Sequence, residues 1–227
     1  MKQKEKKAKK NERIIYGIIG LGRFGLALAE ELHAAGADLI IIDHDEEKIA
    51  RARDFTENAF IVRGLDKKTL LETGMQSCDV AVVCIGSQID TSILTSLNLV
   101  SIGVPHVIAK ATSIEHGEIL QKLGAEVVYP ERDMGIRLAH RLETSRTLDY
   151  VQLGEKLNIS KILVPPAAVG KSVVEINWRS RFGLNIIAVE NNDEVVESIG
   201  PGYVFREKDI LYLAGSKEAF FKLAEWT

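Results

Sequence analysis

The sequence predicts an α/β fold: a doubly wound parallel sheet followed by a small α+β domain. Three observations carry this prediction. Strand-sized apolar runs alternate with helix-period segments as far as Tyr129; a glycine-rich turn joins the first strand to the first helix; and beyond Pro130 the pattern changes to shorter segments punctuated by proline and glycine.

Ile14 to Ile19 is apolar and β-branched, which suits a strand. After the glycine turn, Phe24, Leu28 and Leu32 recur every four residues as one helical stripe, which Gly36 ends. Leu39–Asp43 is a second strand, Glu46–Arg53 a polar helix and Ala59–Val62 a short third strand. Asp66 can cap the helix that runs through Leu70 and Leu71. Asp79–Ile85 is apolar on both faces, as a central parallel strand requires. A helix over Asp90–Val100, a strand over His106–Lys110, a helix ended by Gly124 and a strand over Glu126–Tyr129 complete the βα series. The next helix is expected from about Asp133, its candidate cap, to Arg146. It is apolar on two sides, one bearing Met134, Leu138 and Leu142 and the other partly filled by Ile136, Ala139 and His140. Two partners fit such a helix: a second subunit beside its own domain, or its own C-terminal domain alone.

The C-terminal segment reads as a strand over Lys161–Val164 ended by Pro165 and Pro166, a helical stretch over Gly170–Ile176, strands over Asn185–Val189 and Ile210–Leu213 separated by Gly200-Pro201-Gly202, and a helix over Lys217–Trp226. The expected organisation is a disordered basic tail over residues 1–12, a nucleotide-binding domain over 13–146 and a ligand-binding domain over 147–227.

The net charge of −3 conceals an asymmetry. Residues 1–13 hold six lysines and Arg13 against Glu5 and Glu12, a net +5, so the remainder carries −8. An acidic body argues against nucleic acid as the ligand. For the tail, a solvated extension and an arm for acidic lipid or RNA both fit the composition. No apolar run approaches the roughly 18 residues of a membrane helix. Neither is there a signal-peptide pattern, so a cytoplasmic protein is expected. Cys78 and Cys84 lack CxxC spacing and read as small buried residues. The five histidines show no zinc spacing.

Gly20-Leu21-Gly22-Arg23-Phe24-Gly25 matches GxGxxG, a weak motif alone. Here it follows a strand, opens a helix and is answered by Asp43, 18 residues beyond Gly25 at the end of the second strand. The first glycine permits the tight turn, the second lets backbone approach phosphate, and the third lets helix and strand pack closely. The helix N-terminus offers amides and partial positive charge. Asp43 can accept from ribose hydroxyls and is expected to repel a 2′-phosphate. These features predict a Rossmann site for an adenine nucleotide or dinucleotide. Arg23 suits extra phosphate charge, or is a surface arginine; Asp45 faces the ribose, or is a solvated loop acid. Gly64 and Asp66, and Ile85 and Gly86, end the third and fourth strands where a ligand of this fold lies. Glu131 fits either a divalent ion near phosphates or an exposed ion pair. No nucleophile stands with a base, and no histidine follows His140, so the chain is expected not to be an enzyme.

The segments IIYGIIGLGRFGLALAEEL, IIDHDEEKI, DVAVVCIGS and KLGAEVVYPERDMGIRLAHRL resemble the N-terminal domain of the KTN/RCK (regulator of potassium conductance) family. GKSVVEINWRSRFGLNIIAVE and GPGYVFREKDILYLAG resemble its C-terminal domain. The resemblance covers about residues 13–227 and points to the cytosolic gating subunits of Ktr/Trk-type potassium uptake systems. It implies a homodimer assembling into an octameric ring beneath a membrane potassium-translocating subunit, peripheral at the inner face of the membrane, with ATP and ADP competing in the Rossmann cleft. By that resemblance Gly20, Gly22, Arg23, Phe24, Gly25 and Asp43 hold nucleotide, with Arg23 near the terminal phosphate, and Lys110 matches a strand-end lysine. Glu131 matches a glutamate that helps bind a cation between subunits. The positions matching a cyclic di-AMP site are Val173, Trp178, Arg179, Asn185, Ile186 and Pro201. Trp178 stands where a smaller aliphatic residue is expected, able either to stack on adenine or to block it. The alternatives from other classes are an NAD(H)-binding sensor and an NAD-dependent oxidoreductase.

Overall fold

The computed structural model describes residues 13–143, 147–154, 157–192 and 194–226. The chain divides into two compact units, one ending at Glu131 and one beginning at Arg132.

The first unit contains strands β1 (Ile15–Ile19), β2 (Asp38–Asp43), β3 (Ala59–Ile61), β4 (Val80–Val83), β5 (His106–Lys110) and β6 (Glu126–Val128). They form one parallel sheet in the order β3-β2-β1-β4-β5-β6. Helices α1 (Arg23–Ala34), α2 (Glu46–Ala52), α3 (Lys67–Glu72), α4 (Ile89–Ser101) and α5 (Ile114–Lys122) connect them. Successive strand residues point to opposite faces. Ile18 and Ile41 therefore pack in one core with Leu28 and Leu32 of α1 and Ile49 of α2. Ile19, Ile40 and Ile42 pack in another with Leu70 of α3, Leu99 of α4 and Leu120 of α5. Gly17 on β1 has no room for a side chain: a Cβ there would lie 2.7 Å from Met75 Sδ and 2.9 Å from Cys78 Sγ. Burial pushes the Cys78 thiol up to about 11 and the Cys84 thiol up to about 12, so both are inert at neutral pH.

Helix α6 spans Pro130–Glu143. It starts three residues before the expected cap Asp133, because a proline is well tolerated at the first helical position, where its missing N–H costs nothing. The expected extension to Arg146 lies outside the described residues. The division between units falls in the first turn of α6, ahead of the boundary expected after residue 146. Arg137 of α6 makes a bidentate pair with Asp149, which ties the helix to the second unit.

The second unit adds β7 (Thr147–Gln152), β8 (Asn158–Leu163), α7 (Val173–Ile176), α8 (Trp178–Phe182), β9 (Asn185–Asn191), β10 (Glu194–Val196), β11 (Ile210–Gly215) and α9 (Lys217–Ala224). Its strands form an antiparallel sheet in the order β10-β9-β11-β8-β7. Strand β8 begins three residues earlier than its apolar run. Asn158 and Ser160 face inward in place of apolar residues, Asn158 accepting from Tyr150 Oη at 2.7 Å and Ser160 donating to the Asp149 carbonyl. The core holds an aromatic cluster of Trp178, Phe182, Phe205 and Trp226. Among the described residues, no helix is long and apolar enough to cross a membrane.

Helix α7 is short and relies on its cap. Glu175 accepts from the Ser172 backbone N–H at 2.7 Å and from the Ser172 hydroxyl at 2.6 Å, and Ser172 in turn accepts from the Glu175 N–H. The Ser172 hydroxyl and amide hold the Glu175 carboxyl below its usual range. A depressed carboxylate stabilises the fold above its unfolded-state pKa, and that contribution is lost as pH falls through the folded-state value. Guanidinium unfolding of the wild type and of Ser172→Ala should therefore show a stability gap at neutral pH that narrows in acid.

Candidate functional site

The sheet order reverses between β1 and β4, and a cleft of about 1200 Å³ opens at the carboxyl ends of the strands there. The glycine turn forms its floor. Gly20 has φ +97°, in the left-handed region that side chains avoid, and packs on Ile85 and Cys84. A Cβ on Gly25 would lie 2.0 Å from the Gly20 carbonyl oxygen, so α1 can approach the turn only through glycine. A Cβ on Gly22 would meet nothing within 4 Å; it would project into space. The first intrahelical bond of α1 runs from the Leu26 N–H to the Gly22 carbonyl, so the amides before it have no helical acceptor. No acid occupies the first turn of α1 to compete for them. This cradle fits a phosphate.

Asp43, at the end of β2, is buried. One carboxylate oxygen accepts from the Leu21 N–H at 2.5 Å and the other from the Asp45 N–H at 2.9 Å. The carboxylate thereby latches the glycine turn to the turn after β2 and lines the cleft. His44 Nδ1 lies 3.1 Å from one oxygen and Lys48 Nζ 3.8 Å from the other. Sequence reasoning missed both residues; a lysine in the first turns of α2, close behind the strand-end acid, was the available signal. These two basic side chains stand beside the carboxylate that was expected to repel a 2′-phosphate. Asp45 does not line the cleft: it caps α2, accepting from Glu47 and Lys48 N–H, and the Lys48 amide bond holds its carboxyl below the usual range.

Gly64 and Asp66 line the cleft beyond β3, and Asp66 also caps α3 through the Thr69 N–H. Ile85 and Gly86 line it beyond β4, and Arg23 and Phe24 at the start of α1. Lys110, at the end of β5, lies across Gly86: a Cβ on that glycine would be 3.5 Å from the lysine Cε and Nζ. Lys110 Nζ pairs with Glu131 Oε1 at 2.5 Å. That hydrogen bond, aided by the charges of Lys110 and Arg23, holds the Glu131 carboxyl below its usual range. Of the first-unit residues singled out in the sequence, the structure gathers all but Gly25 and Asp45 on the walls of this cleft. Among the described residues, no group of three or more His, Cys, Asp or Glu side chains could hold a metal ion.

In the second unit a shallower cleft of about 740 Å³ gathers Val173, Trp178, Arg179, Asn185, Ile186 and Pro201. Arg179, Asn185 and Pro201 are exposed on its rim, while Val173 and Ile186 are half-buried and also pack against the core. Trp178 is 2% exposed, with Phe182 and Phe205 at 5.7 Å and Trp226 at 6.1 Å from its ring. It forms the floor of the cleft and leaves no open ring face for stacking. Glu197 and Ser198 also line this cleft, though nothing in their sequence context signalled it.

Residues 16–130 match the TrkA-N domain and residues 159–226 the TrkA-C domain. The Ktr system potassium uptake protein C of Bacillus subtilis (strain 168) is 34% identical over 202 residues, covering 88% of this chain and 91% of that protein. Protein A of the same system and organism is 31% identical over 204 residues, covering 89% and 92%. Among solved structures, the GsuK RCK domain superposes with a TM-score of 0.62 at 21% identity, covering 96% of this chain. The chain spans 48% of the length of that GsuK chain. The GsuK channel bound to NAD gives 0.60 at 21% identity, covering 95% of this chain and 40% of that one. At such identities these structures speak for the fold. The two matched domains, in this order and over nearly the whole length of the Ktr proteins, place the chain in the TrkA-N/TrkA-C family of RCK proteins, to which the Ktr potassium uptake proteins A and C belong.

Proposed function

We propose that this chain is a cytoplasmic, non-enzymatic regulatory subunit that gates a membrane potassium-translocating protein in response to ATP and ADP. The observation that carries the reading is the phosphate cradle with Arg23 in it. Gly22 leaves open space, no acid occupies the first turn of α1, and Arg23 supplies a cation on the cleft wall. A ligand biases a conformational equilibrium only by binding one state better than another. The third phosphate of ATP gives Arg23 a partner that ADP lacks. The resemblance to Ktr subunits supplies the rest: a dimer assembled into an octameric ring, a cation held at Glu131 between subunits, and transmission of ring shape to the channel.

The second-unit cleft supports cyclic di-AMP as a further effector at a dimer interface. In this reading Arg179, exposed on the rim, pairs with phosphate, Asn185 reads base edges, and Val173, Ile186 and Pro201 enclose adenine, while the buried Trp178 shapes the floor. NAD(H) is the alternative occupant of the first cleft, favoured by the acid at its ribose end.

Calorimetric titration of the full chain with ATP, ADP, NADH and cyclic di-AMP separates these readings. Micromolar ATP and ADP with weaker NADH supports the proposal; NADH alone binding turns it to the sensor reading, and turnover of a hydride-transfer substrate ends it. Arg23→Ala is expected to reduce the preference for ATP over ADP by about tenfold or more, the scale of one charge-assisted hydrogen bond. Unchanged discrimination removes Arg23 from the account.

A further inference from the structure

Lys110 presents a problem of electrostatics within the first cleft. Its side chain is only 12% exposed and lies across Gly86. An ammonium so placed needs an anion, and Glu131, 65% exposed in its side chain, supplies it at 2.5 Å. The pair stands close to the phosphate cradle. Gly20 packs on Ile85, Gly86 follows Ile85, and Lys110 covers Gly86, while Arg23 of the glycine turn is near enough to act electrostatically on Glu131. Glu131 is also the second residue of α6, the helix through which the chain passes into its second unit.

We propose that Lys110 exchanges partners, held by Glu131 when the cleft is empty and drawn to the nucleotide's phosphates when it is filled, so that ligand binding releases a carboxylate at the start of α6. The inference rests on the nucleotide reading of the cleft. It assigns the lysine as a phosphate-sensing residue and makes Glu131 its competitor for that charge. The exchange conserves ion pairing: one ammonium–carboxylate contact is replaced by one ammonium–phosphate contact. The freed Glu131 then faces solvent or accepts a cation. A cation on Glu131 and a phosphate on Lys110 accordingly favour each other, a reciprocal coupling between two ligands of one cleft.

The sign of the competition gives the test. Calorimetry with ATP in EDTA, on the full chain, compares wild type, Glu131→Gln, Lys110→Met and the double variant. Glu131→Gln keeps shape and removes the competing charge, so ATP should bind about fivefold tighter, the scale of one partly exposed ion pair. Lys110→Met should weaken ATP by about tenfold or more. In the Lys110→Met background, Glu131→Gln should have no further effect. Unchanged or weaker ATP binding by Glu131→Gln overturns the exchange, as does an equal gain in both backgrounds. If the wild type binds no adenine nucleotide at all, the functional proposal fails with it; tight wild-type binding that ignores Glu131→Gln refutes the exchange alone.

Discussion

Gly25→Ala is expected to destabilise the first unit by about 3 kcal/mol and to abolish nucleotide binding. The added methyl would sit 2.0 Å from the Gly20 carbonyl oxygen and 3.1 Å from Cys84 Cβ. Neither neighbour is the free end of a flexible side chain. The carbonyl belongs to the turn itself, so relief requires α1 to back away from β1 and β4. That movement would withdraw the helix amides from the proposed phosphate position. Gly22→Ala is the contrasting case. Gly22 has φ −70° and ψ −176°, open to any residue, and its Cβ would touch nothing. Its stability cost should stay within about 1 kcal/mol. On the proposed reading its affinity for ATP should nevertheless fall by about tenfold or more, because the methyl would fill the place assigned to the phosphate. Thermal unfolding and calorimetry on the two variants check both. A Gly22→Ala protein that binds ATP like the wild type would show that no phosphate lies against that turn.

Asp209→Ala should cost about 3–5 kcal/mol and weaken ligand binding in the second cleft. Asp209 is fully buried. Its carboxylate accepts from Asn191 Nδ2 at 2.5 Å, Tyr203 Oη at 2.8 Å and the Arg206 N–H at 2.8 Å. Removing it orphans three donors, each costing about 1–3 kcal/mol before relaxation. Burial, with Asp209 beside it, pushes the Tyr203 hydroxyl up to about 12, so the phenol keeps its proton to donate throughout the physiological range. Tyr203 belongs to the segment whose Pro201 and Tyr203 carbonyls accept from Val174 and Val173, which sets Pro201 against α7 at the cleft wall. Chemical unfolding should register the large loss. Tyr203→Phe deletes one donor and leaves one less demand on the carboxylate, so it should cost much less, about 1 kcal/mol. A small loss from Asp209→Ala would mean that water satisfies the three donors.

The first unit was legible because its central strands are buried on both faces. Continuous runs such as Leu39–Ile42 and Val80–Val83 leave no polar position to confuse the pattern. The glycine loop was legible because Gly20 takes a left-handed φ and Gly25 meets the turn too closely for a side chain, whereas nothing within the chain itself requires Gly22. The second unit was less so. Asn158 and Ser160 stand inside β8, breaking the alternation that marks a half-buried strand, and β7 and β10 carry too many exposed positions to read as strands at all. The buried Asp209 was hidden for the same reason: an acid between Lys208 and an apolar strand reads as a turn residue until the fold closes Asn191 and Tyr203 around it. In the site, the residue types were readable but not their mutual pairing. Lys110 and Glu131 lie 21 residues apart and meet only through the register of β5 and β6. His44 and Lys48 gain meaning only once Asp43 is seen between them.

The latch at Asp43 bears on redesign. On the dinucleotide reading, the direct way to admit a 2′-phosphate would be to exchange the strand-end acid for a small neutral residue. Here that same carboxylate ties down the Leu21 amide and the Asp45 amide, so the exchange would unfasten the floor of the cleft along with its selectivity. An engineer would do better to leave Asp43 alone and vary the two basic neighbours, His44 and Lys48, whose side chains carry no such structural duty toward the glycine turn.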